Sequence, residues 1–153
     1  MYGDASKTPF KDGFFDVIFN RRGPSYYAEY FRLLRPGGYY IEIGIGEKDA
    51  ASLKKAFGRG QNFGQWDKST LVEEQEEMAS VGLQAVFGQD YLYNEFYKDS
   101  DNFELFLQGV PIFEDFNLNK DRVFLNAYYQ TSLGENGKVK LERHRIVIIA
   151  RKS

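Results

Sequence analysis

Cysteine is absent from the 153 residues. Its absence excludes disulfides, thiolate nucleophiles and cysteine-held metal. Histidine occurs once, at His144, so no paired-histidine metal motif can form and no metal is expected. Basic charge has no excess: 20 Lys and Arg face 22 Asp and Glu, for a formal net charge of −2. A nucleic-acid backbone finds no broad cationic face here, and nucleic acid is not an expected partner. No apolar run approaches the roughly 18 residues of a membrane helix. No signal-peptide pattern opens the chain, so a cytoplasmic protein with no membrane partner is the expectation. Repeats, low-complexity tracts and interdomain linkers are also missing.

What is plentiful is aromatic: 17% of residues, with 14 Phe and 11 Tyr. Tyrosine at this density reads as core with the ring inward and the hydroxyl outward. The length suits one domain with a real core.

"FFDVIF" (14–19) is a short apolar strand signal. "SYYAEYFRLL" (25–34) sets Tyr26, Tyr27, Tyr30, Phe31 and Leu34 at helical spacing behind Pro24 and Ser25. "RPGG" (35–38) stops that helix, and "YYIEIGI" (39–45) is a second strand. Strand, helix, strand makes a βαβ unit with parallel strands. Helices are expected over 48–57, 68–82, 100–109 and 120–132, the last with Val123, Phe124, Ala127 and Tyr128 on one face. Loops are expected over 58–66 and 110–119, and "GENGK" (134–138) is a turn. The segment 83–97 reads as a strand, with Gly88 marking a bulge, and "HRIVIIA" as the last strand. The predicted fold is an α/β three-layer sandwich. Its sheet is mainly parallel, built from 14–20, 39–45, 83–93 and 143–151, with an antiparallel last strand.

Read together, "GDASKTPFKDGFFDVIFN" and "YFRLLRPGGYYIEIG" resemble the class I S-adenosylmethionine-dependent methyltransferases, in particular the small-molecule type 11 group. The residues that carry the likeness are Gly3-Asp4-Ala5, Pro9-Phe10, Asp12-Gly13, Phe15-Asp16-Val17-Ile18 and Arg32-Leu33-Leu34-Arg35-Pro36-Gly37-Gly38. It is sharp over 3–46 and diffuse beyond. The resemblance implies a partial Rossmann-like methyltransferase fold from the family's fourth strand onward, one partial domain over 1–153. The family's Gly-x-Gly-x-Gly loop and its ribose-binding acid have no counterpart in this sequence.

The resemblance also implies a cofactor side. Asp4 and Ala5 match the family's adenine-holding positions: a carboxylate can accept from the exocyclic amine, and a backbone N–H can reach a ring nitrogen. Asn20, Arg21 and Arg22 follow the first strand, where ligands of open α/β sheets bind. An arginine there suits a ligand carboxylate. Asp16 and His144 read as structural, "EEQEE" (73–77) as a solvated helix face, and no catalytic set stands out. Tyr26, Tyr27, Phe63 and Trp66 are candidate pocket-lining aromatics, with 56–66 a candidate substrate-side loop.

Two functions follow. One is a small-molecule methyltransferase represented by its C-terminal half, inactive alone and with weak or absent S-adenosylmethionine binding. The other is a non-catalytic α/β remnant that binds a partner or self-associates. Because "FFDVIF" becomes a sheet edge without the family's earlier strands, a homodimer is expected in which the 14–19 edges, or the helices flanking them, meet across a twofold axis.

Overall fold

The structure is a computed structural model that describes residues 4–153; Gly3 of the Gly-Asp-Ala turn lies outside the described residues. The elements run β1 (Phe15–Arg21), α1 (Tyr27–Leu33), β2 (Leu34–Ile45), α2 (Ala51–Phe57), α3 (Thr70–Ser80), β3 (Leu83–Tyr97), α4 (Ser100–Gly109), α5 (Arg122–Ser132) and β4 (Val139–Lys152). Every helix and strand expected from the sequence forms. None of the described helices is long and apolar enough to cross a membrane.

The four strands lie in the order β1-β2-β4-β3. β1 and β2 are parallel, as the right-handed βαβ unit requires. β4 runs antiparallel to β2 over Tyr39↔Arg151 to Ile45↔Arg145. The expected mainly parallel sheet is therefore corrected to a mixed one. The last strand does not append to an edge. It inserts between β2 and β3, so its reversed direction falls in the middle of the sheet.

A second correction concerns 35–38. These residues do not separate helix from strand; they belong to β2. Leu34 already pairs with Phe15, and the register then jumps to Val17↔Tyr39. The extra residues make a bulge, which two glycines permit. Gly37 sits at φ +77, and a Cβ on Gly38 would meet the carbonyl oxygens of Arg35 at 2.9 Å and Asp16 at 3.0 Å.

The chain divides into two compact units. One comprises Met1–Gly46, Lys68–Tyr91 and Arg145–Ser153. Its core packs Tyr27, Tyr30 and Leu34 with Tyr40, Met78, Leu83, Ile146 and Ile148. Gly88 belongs here. It sits within the continuous strand β3, where an added Cβ would meet the side-chain amide of Gln75 and the Leu71 side chain of α3.

The other unit comprises Glu47–Asp67 and Leu92–His144. Leu53, Phe57, Phe103, Leu107, Phe113, Leu125 and Tyr128 form its core. In α5 the inward stripe is Leu125, Tyr128 and Ser132, whereas Val123 stays 66% exposed. The phase is set by Asp121, which is buried and accepts from Arg59 and from the Asn117 backbone. Once Asp121 points inward, positions four, seven and eleven residues later follow.

Candidate functional site

The carboxyl ends of β1 and β2 lie side by side, with Asn20 in register with Glu42 and Arg21 with Ile43. Beyond β1 the chain turns sharply through residues 20–24. Asn20 makes that turn. Its Oδ1 accepts from Gly23 N at 3.1 Å, and its Nδ2 donates to Pro24 O at 3.3 Å and to the Tyr40 hydroxyl at 3.1 Å. Tyr30 donates to the same Pro24 carbonyl at 2.8 Å. Arg22 sits in the left-handed region at φ 56, and its N–H donates to Ile43 O at 3.0 Å. The turn is thus tied to both strands and to α1. Arg21 and Arg22 are exposed, and among the described residues their guanidinium groups make no hydrogen bond or ion pair.

Behind the turn lies a buried polar cluster that sequence reasoning missed. The Tyr40 hydroxyl donates to Glu42 Oε2 at 2.7 Å. The Tyr27 hydroxyl is within hydrogen-bond reach of Glu42 Oε2, at 3.0 Å, and of Glu74 Oε2 on α3. One phenolic proton cannot serve two carboxylates. It donates to one of them at a time, so Tyr27 bridges two carboxyl groups. Burial pushes the Glu42 carboxyl up from its ordinary range, and nearby Glu74 and Glu77 add to the shift. Burial likewise pushes Glu74 up, with Glu77 and Glu73 reinforcing it. Tyr27 and Tyr40 are raised for the same first reason. Through the Tyr40 hydroxyl, which also accepts from Asn20, the arrangement braces the turn.

Its signals were present in the sequence. Tyr40, Glu42 and Gly44 share strand parity, which places an acid on a core face. Glu74 falls on the Leu71–Met78–Val81 stripe of α3, so "EEQEE" is not wholly solvated as expected: Glu74 and Gln75 turn partly inward.

Asp4 and Ala5 stand apart from this cluster, on an exposed turn. Asp4 Oδ1 accepts from Ser6 N at 2.8 Å and Ser6 Oγ at 2.6 Å. Those bonds lower its pKa and keep it anionic. The segment that follows is pinned to α1. Thr8 donates through N and Oγ1 to Glu29 Oε1, and Arg32 pairs with Asp12 and Glu29, each at 2.7 Å.

Tested against S-adenosylmethionine, the residues fit in part. Asp4 offers an anionic acceptor, and Arg21 with Arg22 offer free guanidinium groups. Asn20 does not fit as a ligand, because both ends of its amide are consumed in forming the turn.

Asp16 pairs with Arg35 at 2.7 Å on the surface. In the other unit His144 is buried, with Nδ1 accepting from Lys48 N at 3.1 Å. Tyr26 is 38% exposed whereas Tyr27 is core, and Phe63 meets Trp66 edge-on at 5.1 Å.

No family model matches the sequence, and no curated protein matches it. Solved structures do. The YcgJ protein of Bacillus subtilis is 18% identical, with a TM-score of 0.60 over 98% of this chain and 69% of that one. A candidate methyltransferase, BH2331, from Bacillus halodurans C-125 is 16% identical, with a TM-score of 0.58 over 98% and 69%. A candidate sarcosine dimethylglycine methyltransferase from Galdieria sulphuraria is 17% identical, with a TM-score of 0.51 over 100% and 58%. The fold is a class I methyltransferase fold. The chain thus spans about two thirds of the first two proteins and somewhat less of the third. Likeness at this identity speaks for architecture, since a fold of this kind hosts many chemistries.

Proposed function

We propose that the chain is part of an S-adenosylmethionine-dependent methyltransferase of the small-molecule type, supplying the strands that correspond to the family's fourth onward. The observation that carries this reading is the braced turn at 20–24. It lies at the carboxyl end of β1, beside the carboxyl end of β2, where open α/β sheets bind ligands. S-adenosylmethionine, when bound, supplies a methyl group already activated on a sulfonium. The protein then needs chiefly to hold and orient. In this reading Arg21 and Arg22 pair with the ligand's carboxylate. Asp4 accepts from its exocyclic amine, and the Ala5 backbone faces the adenine ring. Asn20 acts as a positioning residue through the turn. The Glu42–Tyr27–Glu74 cluster braces that turn from behind.

The test is a chemical-shift titration of the chain with S-adenosylhomocysteine. Shifts should fall on Asp4, Ala5 and residues 20–22. Shifts elsewhere, with those residues silent, would overturn the assignment.

A specific feature favours a second reading, a module that self-associates. β1 is an edge of the sheet, and Val17 and Phe19 on it are 50% and 58% exposed. Phe10, Phe14 and Phe15 cluster nearby, with ring centroids about 5 Å apart. In this reading two chains meet at β1 across a twofold axis.

A further inference from the structure

A cavity of about 580 Å³ opens within the unit formed by Glu47–Asp67 and Leu92–His144. Its size suits a small organic ligand. One wall is aromatic and aliphatic: Trp66, Tyr93 and Leu92. Leu92 is 64% and Tyr93 44% exposed, an apolar surface left open to solvent. The edge contact with Phe63 braces the indole. The Trp66 Nε1–H is buried with no acceptor among the described residues.

The polar lining carries both signs. Lys55 holds its ammonium over the Trp66 ring, 4.9 Å from the centroid. Lys48 lines the cavity too, and among the described residues neither lysine makes an ion pair. Opposite in sign stand Glu142 and Asp67. Among the described residues the Glu142 carboxylate meets only a neutral donor, Ser52 Oγ at 2.6 Å. Arg143 is already compensated. Its Nε lies 3.0 Å from Asp49, a charge contact too bent to be a hydrogen bond, and its Nη1 lies 3.3 Å from Glu95. Among the described residues, two lysines without an acidic partner, one of them resting on the indole, and two acids without a cationic partner therefore share one cavity.

We propose that this cavity is a ligand site for a small zwitterion with an apolar body, of the amino-acid class. The carboxylate goes to Lys55 and Lys48, the ammonium to Glu142 and Asp67, and the body lies against Trp66 and Tyr93. A purely anionic ligand leaves the acids unanswered, and a purely cationic one leaves the lysines unanswered. The site does not depend on the cofactor reading.

Trp66 is the only tryptophan in the chain, so its emission reports this cavity alone. The experiment titrates the chain, without cofactor, with L-phenylalanine, hydrocinnamate and phenethylamine. These share a phenyl body and differ in charge. Phenylalanine should shift Trp66 emission saturably and bind about tenfold or more tighter than either analogue. Lys55→Met should weaken phenylalanine and hydrocinnamate but leave phenethylamine unchanged. Glu142→Gln should weaken phenylalanine and phenethylamine but leave hydrocinnamate unchanged. Equal affinity for all three ligands would overturn the proposal. So would tightest binding of a single-charge analogue, or no saturable shift from phenylalanine up to its solubility limit. If a variant fails to fold, the three-ligand series on the native chain still decides.

Discussion

Glu42 sits 4% exposed on a central strand, with no basic hydrogen-bond partner among the described residues, and is held by two tyrosine hydroxyls. Its raised pKa, and that of Glu74, give stability a definite pH dependence. Both carboxyls bind a proton more tightly folded than unfolded. Between the unfolded value near 4.5 and the raised folded values, the native state therefore holds more protons, and stability falls as pH rises through that window. Glu29 acts oppositely. Its pKa is lowered to about 2, first by Arg32, so its contribution is lost as pH falls from 4.5 toward 2. Urea unfolding measured across this range should show the decline on the alkaline side, and Glu42→Gln should flatten it. An unchanged slope in the variant would show that Glu42 does not carry this pH dependence.

At the scale of elements, the bulge in β2 sets the register of Tyr40 and Glu42 against Asn20. Gly38 is squeezed between two backbone carbonyls, and backbone yields less readily than a side-chain tip. Gly38→Ala is expected to cost about 1–3 kcal/mol in denaturant unfolding. A cost under about 0.5 kcal/mol, the range of ordinary surface changes, would show that the bulge tolerates a side chain.

Much at this scale was legible in the sequence. "FFDVIF", "YYIEIGI" and "HRIVIIA" gave strands because short β-branched runs between turn residues have few other uses. The helical stripe of α5 was misplaced, because Val123 and Phe124 were weighed by hydrophobicity while a polar residue, Asp121, fixes the phase. The mixed sheet was under-read for a different reason. Local pattern identifies strands but not their neighbours, and the insertion of β4 between β2 and β3 is a long-range event. The buried acid cluster escaped because Glu42 and Glu74 are 32 residues apart and meet only through Tyr27.

At the scale of the whole molecule, β1 offers unpaired backbone groups along with Val17 and Phe19. Such an edge favours pairing with a second strand. Light scattering is expected to show a dimer that Val17→Pro disrupts, because proline removes a donor from the edge. A monodisperse monomer at high concentration would reject self-association. A dimer that persists in the variant would move the contact away from β1.

The cofactor side can be weighed by calorimetry. The sequence has no Gly-x-Gly-x-Gly loop, and each missing charge-assisted hydrogen bond costs about 1.5–3 kcal/mol. The isolated chain is therefore expected to hold S-adenosylhomocysteine only weakly, with a dissociation constant on the order of millimolar. Replacing Arg21 and Arg22 together by alanine should weaken it by about a further tenfold. A micromolar constant for the native chain would contradict the expected weakness, and binding indifferent to the two arginines would contradict the placement of the cofactor side at the 20–24 turn.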